Sequence, residues 1–271
     1  MSKLISLNNK IGIFIVCRQS SKRFPNKIKE QIFDLSLLDV IILRLLRYFP
    51  KKNIVICTSY KNKNSFFNNI QKKYKIKLFY GSDRNLFNRY INCMKKFGFN
   101  HFVRVTGDNP FTDILAIKKI AKQHIKNNNE YTYTSGLIRG SKPEIFSLKS
   151  LIRCKRLSID QLSSEYLTFF YLRKAFKIQR VNFKNLLSNQ SKISISIDKP
   201  KNLSNIKKII LKKKEIYITR NLLLKKIKKC QKIFYSKKIR YIKLVSKKFN
   251  VKLKNDSKNF NKIDLRKFGI I

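Results

Sequence analysis

Carboxylates are scarce in this 271-residue chain: 14 Asp and Glu stand against 63 Lys and Arg, a formal net charge of +49 at pH 7. Trp is absent, and Gly, Pro and His number only 7, 5 and 2. The five Cys form no Cys-x-x-Cys pair, and with two His they support neither a disulfide framework nor a zinc site. The longest early apolar run, Ile11 to Cys17, is too short to span a bilayer. Arg18, Lys22 and Arg23 follow it at once, where a cleavage site would need small residues. A cytoplasmic protein with no membrane span is the expectation. No internal repeat and no Gly/Ser-rich linker divides the chain.

What is abundant needs care. Lys, Asn, Ile and Phe share A/T-rich codons, and the scarce residues share G/C-rich ones, so genome composition explains the charge as well as selection does. The cations are spread along the chain and do not interleave with aromatics in one tract, as a single-strand groove would require. No specific nucleic-acid partner is therefore expected, although the charge favours encounter with anionic substrates. At 43% hydrophobic residues the chain can build a large core. One consequence is useful: where acids are this rare, a carboxylate at a strand end carries information.

Periodicity gives alternating units. Ile11 to Cys17 reads as a strand covered on both faces. Residues 35–49 carry Leu37, Leu38, Ile41, Ile42, Leu45 and Leu46 at helical spacing. Strands are predicted at 53–59, 76–80 and 101–105, and helices at 62–73, 86–97 and 113–126. Ser191 to Ile197 resumes strand alternation, and a Lys- and Ile-rich helical series begins near Lys207. Strands alternating with helices of this length predict an α/β fold, a mostly parallel sheet with helices on both faces.

Two loops draw attention. Arg104-Val105-Thr106-Gly107-Asp108-Asn109-Pro110 ends a strand with a carboxylate just past it, where ligands of open α/β sheets sit. There Asp108 could hold the Mg²⁺ of a nucleotide, or simply belong to a Gly-Asp-Asn-Pro turn. The loop after the first strand, Cys17 to Lys27, packs four cations and two hydroxyls into eleven residues. It suits phosphate, yet it lacks the Gly-Lys-Ser/Thr ending of a P-loop; a solvated basic loop is the alternative. Asp198, before Pro200 and Leu203, suits a helix N-cap.

Residues 11 to 210 resemble the sugar cytidylyltransferases, in particular the spore-coat polysaccharide biosynthesis type, beside CMP-Kdo and CMP-acylneuraminate synthetases. The resemblance rests on four segments in register. Arg18 to Lys27 is similar to the family's Arg-x-x-Ser-x-Arg-Leu-Pro-Gly-Lys loop. Gly81-Ser82-Asp83 through Asn88-Arg89-Tyr90 resembles Gly-Ser-Glu…Asp-Arg-Tyr. Arg104 to Pro110 resembles Arg-x-Thr-Gly-Asp-x-Pro, and Ser196 to Leu203 resembles x-Val-Asp-Thr-Pro-Glu-Asp-Leu. Glu144 to Ser147 and Ser164 to Thr168 match weaker landmarks.

The resemblance implies a Rossmann-like nucleotide-diphospho-sugar transferase sheet that moves CMP from CTP to a sugar or sugar-acid acceptor. Arg18 and Lys27 would lie on the phosphates and, with Asp108, form the catalytic set. Ser20, Ser21, Arg23, Gly81, Ser82, Arg89 and Gly107 would complete the nucleotide site. Asp108 and Asp198 would hold Mg²⁺; Arg104, Arg139, Glu144 and Glu165 would face the sugar. A homodimer is implied as well. The chain departs from the pattern at Asn26, where Gly is usual, at Asn88 and Asn202, where acids are usual, and at Tyr166, where His is usual. Residues 1–210 would form the nucleotidyltransferase domain and 211–271 a Lys-rich helical extension. A GT-A-like glycosyltransferase, a catalytically decayed relative and a binding module working through its basic tail are the other readings. The missing Asp-x-Asp pair counts against the first.

Overall fold

The computed structural model describes residues 10–19, 21, 23–157, 167–171, 176–184, 187 and 190–235. A seven-stranded sheet runs in the order β5-β4-β1-β6-β8-β7-β9. Its strands are β1 (Ile11–Val16), β4 (Ile54–Ser59), β5 (Lys77–Gly81), β6 (His101–Thr106), β7 (Tyr131–Ser135), β8 (Glu144–Ser147) and β9 (Ile178–Asn182). A small hairpin, β2 (Gln31–Ile32) with β3 (Leu35–Ser36), precedes the first helix. Only β8 runs against the rest of the large sheet. From β1 the chain builds outward through β4 and β5, then returns to place β6 on the opposite side. The crevice between β1 and β6 is therefore the topological switch point of the sheet.

Two layers of side chains fix the faces. Ile11, Ile13 and Ile15 alternate with Phe14 along β1, so one face is aliphatic and the other aromatic. The aliphatic face takes α1 (Leu37–Leu46), α2 (Ser65–Tyr74) and α4 (Ile114–Lys126) through Leu38, Ile41, Ile70, Ile117 and Ile120. On the aromatic face α3 (Leu86–Phe97) and α5 (Leu148–Leu157) cover Phe102, Phe146 and Tyr131; α6 (Leu167–Phe170) follows them. Ser36 caps α1 by accepting from Asp39 N, Asn85 caps α3, and Asp113 caps α4.

Helix α1 is buried on two sides. Leu37 and Val40 turn away from the sheet into a third cluster with Ile193, Ile195, Ile197, α7 (Pro200–Lys207) and α8 (Arg220–Lys229). Ile216, Ile218, Leu223, Leu224 and Ile227 all belong to it. No break in packing falls at residue 210: the chain through Phe234 is built into the same body. The remainder of the predicted extension, with Ile239, Ile242 and Leu244, lies outside the described residues.

The expected strand at 191–197 is instead a 3-10 turn, Gln190–Lys192, followed by isolated bridges of Ser194 to Arg139 and Ile193 to Tyr235. Its alternation is real in burial, with Ile193, Ile195 and Ile197 all inside. Its neighbours are loops, so no ladder propagates. Strands β7, β8 and β9 had no counterpart in the sequence reading, because Thr, Ser, Glu, Gln and Arg interrupt their apolar pattern.

Both His of the chain meet in this core. His101 Nδ1 lies 3.1 Å from His124 Nε2, and His124 Nδ1 lies 2.8 Å from Thr132 Oγ1. Burial, and then the other imidazole, pushes His124 down from 6.5 to about 3; burial and Lys10 lower His101. Depressed folded values mean that the unfolded chain takes up protons first. Stability is thus full above pH 6.5 and falls as pH drops from there toward 3. His124 costs up to about 1.4 kcal/mol per pH unit in that window. Urea midpoints measured from pH 7.5 to 5 should fall for the native chain and fall less steeply for His124→Gln; equal slopes would refute the assignment.

Candidate active site

The loops leaving β1 and β6 meet at the switch point. Asn26 adopts the left-handed conformation (φ 54°) that the usual Gly would supply, and Asn tolerates it better than most residues. The turn sets up a 3-10 segment, Lys27–Lys29, that sends the Lys27 side chain inward. Gln19 organises the rest of the loop: its carbonyl accepts from Ser21 N and Asn26 N, and its own N–H donates to Asn62 Oδ1. Asn64 Nδ2 donates to Gln19 Oε1, tying the loop to the start of α2.

After β6, Gly107 N donates to Val16 O at 2.8 Å, so the Asp108 turn lies directly beside the end of β1. Asn109 donates from Nδ2 to Thr106 Oγ1 and closes that turn. The third segment arrives from far along the chain: Ile197 N donates to Asp108 O at 2.8 Å. Asn202 Oδ1 accepts from Lys199 N and Asp198 N. Lys199 is the N-cap of α7, so the N-cap role considered for Asp198 is not taken up and its carboxylate turns to the crevice.

Lys27 sits between the acids. Its ammonium donates to Asp108 Oδ2 at 3.1 Å and to Ile197 O at 3.1 Å, and lies 3.9 Å from Asp198 Oδ1. Arg23 Nη2 adds a 2.8 Å contact to the same Asp198 oxygen. The Lys27 side chain is 10% exposed, against 27% and 20% for Asp108 and Asp198, so the carboxylates face solvent from above the ammonium. Among the described residues no cluster holds three or more His, Cys, Asp or Glu side chains. Two carboxylates from separate segments, with oxygen donors only, nevertheless suit Mg²⁺, which keeps several waters and takes phosphate oxygens as ligands.

The other expected residues are less concentrated. Arg18 is exposed on the β1 loop and Ser21 is half-buried there; Ser20 lies outside the described residues. Gly81 and Ser82 end β5, two strands from β1, on the same sheet edge. Arg89 is buried and donates to the carbonyls of Ser82 and Asp83, so it shapes that loop from beneath.

Beside the crevice, cross-strand register lines up Arg104, Glu144, Tyr133 and Arg180 across β6, β8, β7 and β9. Arg104 forks onto Glu144 Oε2 through Nε and Nη2, and Tyr131 donates to Glu144 Oε1 at 2.7 Å. Burial opposes the Arg104 charge, and the Glu144 carboxylate more than restores it. This desolvated, hydrogen-bonded pair makes a rigid floor. Burial, reinforced by the charges of Arg139 and Arg180, lowers the Lys142 ammonium against the opposing pull of Glu144. Glu165 and Tyr166 lie outside the described residues. Gln19, Asn62, Lys142 and Arg180 went unremarked in the sequence, where single polar residues carry no periodic signal.

A family model described as cytidylyltransferase matches residues 13–254. The spore coat polysaccharide biosynthesis protein SpsF of Bacillus subtilis is 27% identical over 180 residues, 65% of this chain and 75% of that protein. Against another curated relative, an uncharacterised archaeal protein, the chain spans 65% of the relative's length, just under two thirds. A cytidylyltransferase from Leptospira borgpetersenii superposes with a TM-score of 0.74 at 25% identity, over 85% of this chain and 98% of that one. A CMP-2-keto-3-deoxy-manno-octonic acid synthetase complexed with CTP shares the fold, with a TM-score of 0.58 at 11% identity over 74% and 98%.

The close approach at Gly107 is testable. A Cβ there would lie 2.6 Å from Cys17 Cβ and 3.3 Å from Ile28 Cγ2, so the β6 loop would have to lift off β1. Gly107→Ala should destabilise by about 1–3 kcal/mol in denaturant unfolding. An unchanged midpoint would contradict this packing.

Proposed function

The chain belongs to the cytidylyltransferase family, and from that premise we propose that it moves CMP from CTP to a sugar or sugar-acid acceptor, releasing pyrophosphate, at the crevice between β1 and β6. The observation that carries this reading is the convergence of Asp108 and Asp198, from segments 90 residues apart in the chain, on the one ammonium of Lys27. Rare acids placed together at a switch point have no packing role that apolar residues would not fill better.

In this reading Arg18, Ser20, Ser21, Arg23 and Lys27 take the triphosphate, with Gly107 keeping the two loops in contact. Gly81, Ser82 and Arg89 shape the outer edge of the nucleotide site. Asp108 and Asp198 are the residues that would hold Mg²⁺, which when bound neutralises phosphate charge and makes the α-phosphorus more electrophilic. The acceptor hydroxyl attacks that phosphorus in line; its P–O bond forms as the bond to pyrophosphate breaks, and the hydroxyl proton is released to solvent. Transfers of this kind need little covalent help, so fixed cations and orientation supply most of the catalysis. The acceptor lies over β6 to β9, with Arg104, Arg139, Glu144 and Glu165 as its candidate contacts. Lys142 and Arg180 add positive charge there, which supports an acidic sugar over a neutral one. The name of the SpsF relative supports a place for the product in surface polysaccharide synthesis.

Thermal unfolding against a nucleotide panel tests this. CTP with Mg²⁺ at a hundred times its Kd should add about 2.7 kcal/mol. UDP- and GDP-sugars should add nothing, and Asp108→Ala should lose the CTP effect. A shift with a nucleotide sugar alone would transfer the assignment to glycosyl transfer.

A further inference from the structure

Lys27 occupies the position between the two acids in a particular way. Its ammonium is surrounded by a carboxylate oxygen of Asp108, the Ile197 carbonyl oxygen and, further off, a carboxylate oxygen of Asp198. Three oxygens from two chain segments are the environment a hard cation takes. The lysine is buried at 8% exposure, and its ion pairs account for the positive charge at that depth. The second cation on Asp198, Arg23, is 58% exposed, so solvent screens its hold on the carboxylate. Both cations belong to the β1 loop, the segment proposed to meet the triphosphate.

A divalent ion cannot share this arrangement. Chelated by Asp108 and Asp198 together, it would lie against an ammonium of like charge in a half-buried crevice. Lys27 must withdraw before the pair of acids can chelate, and a buried ammonium withdraws only toward another anion. The triphosphate is that anion: the four-carbon lysine stem can re-aim from carboxylate to phosphate. Resting on the cytidylyltransferase reading, we propose that Lys27 is the resident counter-ion of the metal site. It closes Asp108 and Asp198 to bare divalent cations, so that metal enters with the nucleotide whose phosphates draw Lys27 away. Lys27 thus sets the order of binding as well as contacting phosphate.

The test uses Mn²⁺ as probe on the full chain, with protein-bound Mn²⁺ followed by water-proton relaxation enhancement, with and without CTP, against Mn²⁺–CTP without protein as the blank. The native chain should bind Mn²⁺ at least tenfold more weakly alone than with CTP. Lys27→Met, which keeps the stem and removes the charge, should bind Mn²⁺ without nucleotide at least tenfold more tightly than the native chain. Adding Asp198→Asn to it should abolish the gain. Lys27→Arg should stay closed. Mn²⁺ alone should raise the melting temperature of Lys27→Met and leave that of the native chain unmoved, which also checks folding; Lys27→Gln serves as a second neutral variant. The proposal is overturned if neither neutral variant gains Mn²⁺ affinity while the native chain still binds Mn²⁺ with CTP. Failure of the native chain to bind Mn²⁺ even with CTP would remove the cytidylyltransferase reading and this proposal together.

Discussion

The site depends on one tie, the contact of the 197–198 segment with the turn after β6. Through the bond from Ile197 N to Asp108 O and the shared ammonium of Lys27, a carboxylate that arrives late in the chain joins one placed by the sheet. The tie is made possible by a hydrophobic layer. Ile193, Ile195 and Ile197 pack with α7 and α8 against the outer side of α1. Of the expected site residues, that layer holds Asp198 at its edge and Arg139 bridged to Ser194, and without it Asp198 would have no fixed position. Burial of aliphatic surface here is spent on geometry a few ångströms away.

Topology explains why the tie lies where it does. Strand order places β1 between β4 and β6, so the loops after β1 and β6 leave the same edge and open a crevice between them. The β1 loop brings cations and the β6 loop brings an acid, and opposite charges in a half-buried crevice hold each other. The reversed strand β8 then carries Glu144 beside Arg104, turning the adjoining face into a polar floor where the rest of that face is aromatic. A single sheet edge thereby carries a charged crevice at β1 and β6 and a polar floor beside it.

Much of this was legible in the sequence. Strands β1, β4, β5 and β6 and helices α1 to α4 follow from apolar runs and 3.6-residue spacing, and α3 is found at its predicted bounds. Asn26 was identified as the unusual loop residue, and its left-handed turn is what the backbone required. Strands β7 to β9 were not legible, because short strands facing a polar floor lose the apolar signal. For Asp198, local sequence suits a helix cap and the resemblance favours a metal ligand; in the structure Lys199 takes the cap position. The gathering of Lys27, Asp108 and Asp198 is a tertiary event, and residues 81 and 171 positions apart carry no local mark of meeting.

A crystal structure of the chain with CTP and Mn²⁺ tests the central claim most directly. The account predicts an anomalous peak for Mn²⁺ ligated by Asp108 and Asp198, the triphosphate over the β1 loop, and the Lys27 ammonium moved from the carboxylates to a phosphate oxygen. Mn²⁺ bound elsewhere, or a nucleotide seated away from the β1–β6 crevice with the Lys27 ion pairs intact, would contradict it.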